Sequence, residues 1–538
     1  MQTTYSVLQS NLLRKIYHWG ISPFTEKSRI FWVWFALMTL PDIYYWITIQ
    51  EWIAIPYFIS RGYAASYLFT LLISFLPNKS IKYIYISIIS TLIFVFFIVD
   101  LFCISSLHDR YSYDMTGIIL GTNMNEALEF LHTYLSGKLA CIIVCVILIL
   151  CLTYRASKKI HISKCFAYIC LFLLIPCLFF AITNTYPLNG IYAKYHSFFE
   201  LPRTPNLKAL ETNPNIVFDV KHLPHNVVVI IGEAYAKSHC SLYGYKKKTC
   251  PNLEQLEKDS SLLVFQHVTS PATHTLQSFQ YILNTYQLEG NNTKFEKCVT
   301  LPNVAKHAGY KTIWISNQSK HGLNDNLVGE FANLCDEEYF AENKFTGLNR
   351  KAKDGELIPI IQSTCRGDTT RKFYFIHLMG SHFDCRQRYP DNFAIFNGGG
   401  YFSCPEHQRK KLAEYDNSVL YNDFVINTII RIFKNTECII FYFPDHGMDI
   451  FETSNDWCGH ARDNDSISTN VGKQIPFIIY FSKKYEQRFH HIIKPLRKST
   501  DNYYCTDKFI YTVMDVMGIS FKNNNDVAKH SILTDQRN

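Results

Sequence analysis

For a chain of 538 residues, this one is short of charge: Asp, Glu, Lys and Arg make up 18% of it, against 48% hydrophobic and 15% aromatic residues. That balance excludes an intrinsically disordered protein, which stays unfolded by having more charge and fewer aromatics. The 17 cysteines include no CxxC pair, which argues against a cysteine-ligated zinc module. No internal repeat or low-complexity tract occurs, so a solenoid or fibrous architecture is excluded. Nor do the opening residues read as a cleavable leader. The opening residues stay polar too long and no small-residue cleavage site follows the first apolar run, so that run is expected to remain in the protein. The basic excess is small, +8 from 53 Lys and Arg against 45 Asp and Glu, and does not imply nucleic acid.

What is present divides into two parts. Before residue 185 lie apolar runs at Ile30–Ile49, Tyr63–Leu76, Ile84–Ile104, Leu139–Tyr154 and Cys165–Thr183. They predict five membrane-spanning helices within residues 1–184. The Tyr63–Leu76 run is short for about 30 Å of hydrocarbon at about 1.5 Å per residue, so it is expected to extend into flanking Tyr and Ser residues. Arg14, Lys15, Lys27, Arg29, Lys79, Lys82, Arg155, Lys158, Lys159 and Lys164 fall on one side of these spans, and only Arg61, Arg110 and Lys138 on the other. The positive-inside rule then puts the N-terminus in the cytoplasm and everything after the fifth span outside it. Pro41 and Asp42 are expected to interrupt the first span, with Asp42 in a polar bundle interior or at the interface.

Residues 185–225, punctuated by Pro202, Pro205 and Pro214, read as a linker along the membrane surface. From Asn226 to the end, short apolar runs alternate with helical stretches: Val227–Ile231, Thr312–Ile315, Phe373–Ile376, Cys438–Phe443 and Pro476–Phe481. These predict an α/β domain on a mostly parallel sheet. Open α/β sheets place their sites beyond the carboxyl ends of the strands. Four of the runs end in Glu233, in Asn317 and Gln318, in His377 and His382, and in Asp445 and His446. One such residue is usually a turn former or a helix cap. Several carboxylates and imidazoles together have the chemistry of a catalytic zinc site, and His460 could reach it from a later loop. Ser270-Pro271-Ala272-Thr273-His274-Thr275 leads into a helix whose opening N–H groups favour a phosphate, although from composition alone Ser and Thr there are more often ordinary caps. Ten cysteines follow residue 184, and an oxidising compartment would permit disulfides among them, with Cys240 and Cys250 or Cys385 and Cys404 as candidate local loops.

Taken in order, Asn226 to Glu233, Ser241 to Tyr245, Thr269 to Thr275, His377 to His382, Tyr415 to Asn417, Pro444 to Gly447 and Gly459-His460 resemble the lipid-modifying phosphoethanolamine transferases. These are membrane members of the alkaline phosphatase and sulfatase superfamily. The resemblance implies that Glu233, Thr275, Asp445 and His446 hold a zinc ion with Thr275 as nucleophile. It further implies that His382 and His460 bind the substrate phosphate or a second zinc, with His377 and Asn317 lining the same cleft. Thr122 to Glu126 resembles the segment that helps hold the ethanolamine head at the membrane side, through Thr122 and Glu126. Pro444, Met448 and Phe383 depart from the residues common at those positions, and all three border the acceptor pocket.

The function implied is transfer of phosphoethanolamine from phosphatidylethanolamine to lipid A or the lipopolysaccharide core, through a phosphothreonine, by a multi-pass protein of the bacterial inner membrane whose catalytic domain is periplasmic. The competing readings are a phosphoglycerol transferase or another sulfatase-superfamily hydrolase, and a non-catalytic membrane receptor with the same fold.

Overall fold

The computed structural model describes residues 17–48, 55–107, 163–183 and most of 215–534. These form a helical unit and an α/β unit. In the helical unit, α1 (Ser28–Thr48), α2 (Ile55–Phe75), α3 (Lys79–Phe102) and α4 (Lys164–Thr183) are built from apolar residues around small cores. Among the described residues three helices, not five, are long and apolar enough to cross a membrane: Ser28–Ile47, Ile55–Phe75 and Lys79–Ser105. The Leu139–Tyr154 run lies outside the described residues. The last helix runs Lys164–Thr183 over 20 residues, and its described apolar stretch is Cys165–Cys177.

The short second run does extend backwards to Ile55, taking in Tyr57 and Ser60. It also takes in Arg61, which therefore sits inside α2 and not in a loop. Pro41 and Asp42 do not interrupt α1, which continues through both. A membrane helix tolerates proline where neighbours re-satisfy the freed backbone. Asp42 is buried. Helices approach closely where side chains are small: a Cβ added to Gly62 of α2 would stand 2.2 Å from Thr39 Cγ2 of α1. Polar side chains join other helices, with Trp34 Nε1 donating to Ser90 Oγ at 3.0 Å and Tyr63 OH to the Cys170 carbonyl at 2.9 Å.

The α/β unit is organised by a seven-stranded sheet. Its strands are β1 (Asn226–Gly232), β2 (Leu262–Phe265), β3 (Lys311–Ser316), β4 (Glu337–Phe340), β5 (Lys372–His377), β6 (Cys438–Pro444) and β7 (Phe477–Phe481), in the order β2-β7-β6-β1-β5-β3-β4. The sheet is mixed, not mostly parallel. β1, β3, β4, β5 and β6 pair in parallel, whereas β7 runs antiparallel to both β2 and β6. The sequence conceals this inversion because β7, buried throughout, carries the same unbroken apolar run as a parallel strand.

Alternation along β1 feeds two cores. Val227, Val229 and Ile231 face a layer that includes α5 (Thr275–Ile282). Val228 and Ile230 face one dominated by α6 (Glu406–Phe433). The end of the stretch read as a linker belongs to this unit: Ile216–Phe218 pairs antiparallel with Ile519–Phe521, and Ile216 is buried. Residues 185–214 lie outside the described residues.

Candidate metal centre

β1 and β6 are adjacent and parallel, with Gly232 opposite Pro444. The next residue of each strand is an acid, so Glu233 and Asp445 emerge side by side at the carboxyl edge. Both are almost wholly buried. The two strand ends are laced together: Asp445 N donates to the Gly232 carbonyl at 3.1 Å and Tyr235 N to the His446 carbonyl at 3.1 Å. After Glu233 the chain turns through Ala234 at φ 51°, a left-handed conformation unfavourable to a residue with a Cβ. Tyr415 on α6 pins this corner: its hydroxyl accepts from Ala236 N at 2.7 Å and donates to the Ala234 carbonyl at 3.0 Å.

His446 follows Asp445. Its Nδ1 meets the Gly447 carbonyl at 2.7 Å, which orients the ring so that Nε2 points to Glu233 Oε1 at 3.1 Å. Such a bond to the far nitrogen is the usual support of a metal-ligating histidine. Thr275 is the first residue of α5, and His274 is the N-cap. Its hydroxyl does not cap the helix. It donates to Glu233 Oε2 at 3.1 Å and lies 3.5 Å from His446 Nε2.

One ligand atom from each of Glu233, Asp445 and His446 lies within 4.8 Å of the others. Glu233 Oε1 and Asp445 Oδ2 are both buried, and His446 Nε2 lies 3.1 Å from the first and 3.7 Å from the second. Two carboxylates so placed require a cation or a proton. With the Thr275 hydroxyl, the set offers three oxygens and one imidazole nitrogen, a donor set that suits four-coordinate zinc.

The acid–base properties agree. Burial pushes Glu233 up, but the bond to His446 and its charge outweigh this and hold the carboxyl well below the usual carboxylate range. Burial and then the neighbouring Glu233 charge push Asp445 up to about 8. Burial lowers His446, but the Asp445 and Glu233 carboxylates more than offset it and raise it to about 9. Without a bound metal the cluster therefore retains at least one proton at neutral pH.

A second group of imidazoles adjoins the first. His460 follows the Cys458–Gly459 strand, which pairs with Asp449–Ile450. Its ring centroid is 4.7 Å from that of His446 and 4.7 Å from that of His274, on which it stacks. His382 stands 6.2 Å from His460. Burial lowers His382 to about 3 and His460 to about 4, so both are neutral at physiological pH.

Two residues expected to line the cleft do other work. His377 is fully buried edge-on against Phe279 of α5 and Trp314 of β3, with neither ring nitrogen hydrogen-bonded. It forms part of the support beneath α5. Asn317 Nδ2 donates to Asp354 Oδ1 at 2.8 Å and to the Ala352 carbonyl at 3.1 Å. Asp354 in turn accepts from Met379 N at 2.8 Å and Gly380 N at 2.9 Å, fixing the loop that carries His382. No motif in the sequence marks Asp354. Thr122, Glu126 and Phe383 lie outside the described residues.

Sequence reasoning noted Gln318 only as a strand end, yet it touches the cluster: Nε2 donates to Glu233 Oε2 at 2.8 Å and to the Leu378 carbonyl at 3.1 Å. Replacing Gln318 by Ala is expected to weaken zinc binding by about 10 to 100-fold, the usual cost of losing an outer-shell partner. Competition against a fluorescent chelator measures it, and an unchanged affinity would remove Gln318 from the site. Gly380 has φ 53°, and a Cβ there would lie 2.5 Å from the Glu233 carbonyl oxygen. Gly380→Ala is expected to destabilise the fold by about 2 to 4 kcal/mol, through backbone strain and displacement of Glu233, read as a lowered urea midpoint.

Comparison with known proteins places these motifs in context. The family model described as Sulfatase matches residues 225–519. The phosphoethanolamine transferase EptC of Escherichia coli K12 is 28% identical over 446 residues, covering 77% of this chain and 76% of that protein. The crystal structure of the C-terminal periplasmic domain of E. coli EptC, in complex with Zn, superposes with a TM-score of 0.55 at 28% identity, covering 61% of this chain and 91% of that one. The integral membrane lipooligosaccharide phosphoethanolamine transferase A of Neisseria meningitidis shares the fold over 92% of this chain and 96% of its own, with a TM-score of 0.69 at 19% identity.

Proposed function

The chain belongs to the sulfatase family, and from that premise we propose that it is a membrane-anchored phosphoethanolamine transferase. On this reading it moves phosphoethanolamine from phosphatidylethanolamine to lipid A or the lipopolysaccharide core by way of Thr275. The observation that carries the proposal is the Thr275 hydroxyl, 3.1 Å from Glu233 and 3.5 Å from His446 at the edge of a buried acidic cluster. The likeness to EptC supports it.

Zinc, when bound, lowers the pKa of the threonine hydroxyl and offsets charge on the phosphoryl oxygens. Glu233, Asp445 and His446 would hold one such ion. The protein's part is positioning. Glu233 accepts from the Thr275 hydroxyl and fixes its oxygen, while Gln318 prevents Glu233 from turning away. The Thr275 oxygen attacks phosphorus, the bond to the diacylglycerol oxygen breaks, and that oxygen leaves with a proton as diacylglycerol. Phosphoethanolamine remains esterified to Thr275. An acceptor hydroxyl or phosphate then attacks the same phosphorus and the Thr275 oxygen departs.

His382 and His460 are neutral, so they serve as N–H donors to phosphoryl or leaving oxygens, or as ligands of a further ion, not as standing cations. The apolar helices keep this chemistry at a bilayer, where both lipids reside; on this reading the bilayer is the bacterial inner membrane and the α/β unit is periplasmic. The test is mass spectrometry of lipids from cells lacking and carrying the chain. Added phosphoethanolamine on lipid A or core sugars is expected. Added phosphoglycerol, or free phosphate without a modified lipid, would favour another member of the superfamily.

A further inference from the structure

We propose that Cys240 and Cys250 form a disulfide that fastens the loop behind the Glu233 corner. Their sulfurs lie 3.1 Å apart and both side chains are buried. The backbone brings them together without help from sulfur. Ser241 N donates to Thr249 Oγ1 at 3.1 Å, Thr249 Oγ1 to the His239 carbonyl at 2.8 Å, and Cys250 N to Ser241 Oγ at 2.9 Å. Two neighbouring chain segments are thus held in register with their thiols facing. The separation is well inside the van der Waals contact of two sulfurs, and a small χ1 rotation closes it to a bond of about 2.0 Å.

The position gives the link a purpose. Tyr235 OH lies 3.0 Å from Cys250 Sγ, and the same residue's backbone N–H holds the His446 carbonyl. Tyr235 is two residues beyond Glu233, across the strained turn at Ala234. The loop closed by the link also carries Tyr245, which donates to Asp416 of α6 at 2.8 Å, while His239 contacts the other oxygen of that carboxylate at 2.7 Å. A disulfide would therefore bind the loop to itself while these contacts bind it to α6 and to the metal-bearing corner.

Formation is an oxidation. The two thiols lose two protons and two electrons as the S–S bond forms. The electrons reduce the disulfide of a thiol–disulfide oxidoreductase to two thiols, through a mixed disulfide with one of the pair. Because both cysteines end fully enclosed, the exchange must precede completion of the fold, and the finished bond is shielded from reductants. The inference assumes that the α/β unit matures in an oxidising compartment, as the loop charges imply, but it does not depend on which group Thr275 transfers.

The experiment uses the full chain extracted from host membranes without reductant and alkylated in denaturant. Peptide mass spectrometry is expected to find the Cys240 and Cys250 peptides joined and unalkylated; both recovered as alkylated thiols would overturn the proposal. Thermal midpoints in detergent give a second reading. Cys240→Ser, Cys250→Ser and the double variant are each expected to fall by the same amount, roughly 5 °C, since any of them opens the same loop. A double variant that falls by the sum of the two singles would mean that the thiols only pack, and the covalent link would be refuted. Thr275→Ala should keep the cross-link intact, so failure of the transferase reading and failure of this one are told apart.

Discussion

Thr275→Ala is expected to abolish lipid modification, with product falling at least about 10³-fold, because no other hydroxyl among the described residues is hydrogen-bonded to the Glu233 carboxylate. Thr275→Ser should keep measurable activity, since it preserves the oxygen and loses only a methyl group. The variant pair separates chemistry from folding. Thr275 is partly buried at the start of its helix and its side chain caps nothing, so the alanine protein should fold normally and retain zinc through Glu233, Asp445 and His446. Quantitative mass spectrometry of extracted lipids, with zinc measured on the same preparations, gives both readings. Undiminished modification by the alanine variant would require a different nucleophile.

The second large effect concerns the metal. Asp445→Asn removes a charged ligand but little volume, and zinc affinity should fall by at least about 100-fold, beyond the loss typical of an outer-shell change. Metal-free Asp445→Asn protein should be as stable as metal-free wild type or more so, because one of two crowded buried carboxylates has gone. Destabilisation of the metal-free variant would mean that Asp445 serves the fold and not an ion.

The same crowding sets the pH dependence. Asp445, raised to about 8, and His446, raised to about 9, leave at least one proton on the metal-free cluster at neutral pH. An entering ion must displace it. Apparent zinc affinity is therefore expected to rise by at least about tenfold per pH unit between pH 6 and 8 and to level off only above about pH 9, once His446 too has lost its proton. Calorimetric titration in buffers of different ionisation enthalpy should report proton release. An affinity flat across that range would show that the cluster is already unprotonated.

The strand ends that carry Glu233, Asp445 and His446 were legible because each follows an unbroken apolar run, and a polar residue at such a boundary stands out. The partners that make the cluster work were harder to read. Gln318 lies one residue beyond Asn317, and nothing in the sequence says which amide turns to Glu233. The choice is made by Asp354, a carboxylate from a loop without a pattern, which takes Asn317 for itself. His377 sits in the motif with His382, but strand alternation turns it into the layer beneath α5, where Phe279 and Trp314 enclose it. The inverted strand β7 was invisible for a related reason. Burial on both faces erases the two-residue rhythm, and direction leaves no mark on composition. Two strands were not among the predicted runs: the edge strand β4 carries Glu337 and Glu338 and lacks an apolar run, and β2 spans only the four residues Leu262–Phe265.

Because Gly232 and Pro444 face each other in the last rung of a parallel ladder, the spacing of the Glu233 and Asp445 carboxylates is encoded in the reading frame of two strands. A one-residue insertion or deletion within either strand would rotate an acid to the opposite face of the sheet and dismantle the pair, however conservative the change. His460, by contrast, is delivered by its own small hairpin and not by the central sheet. The pairing of Glu233 with Asp445 therefore tolerates almost no change in strand length.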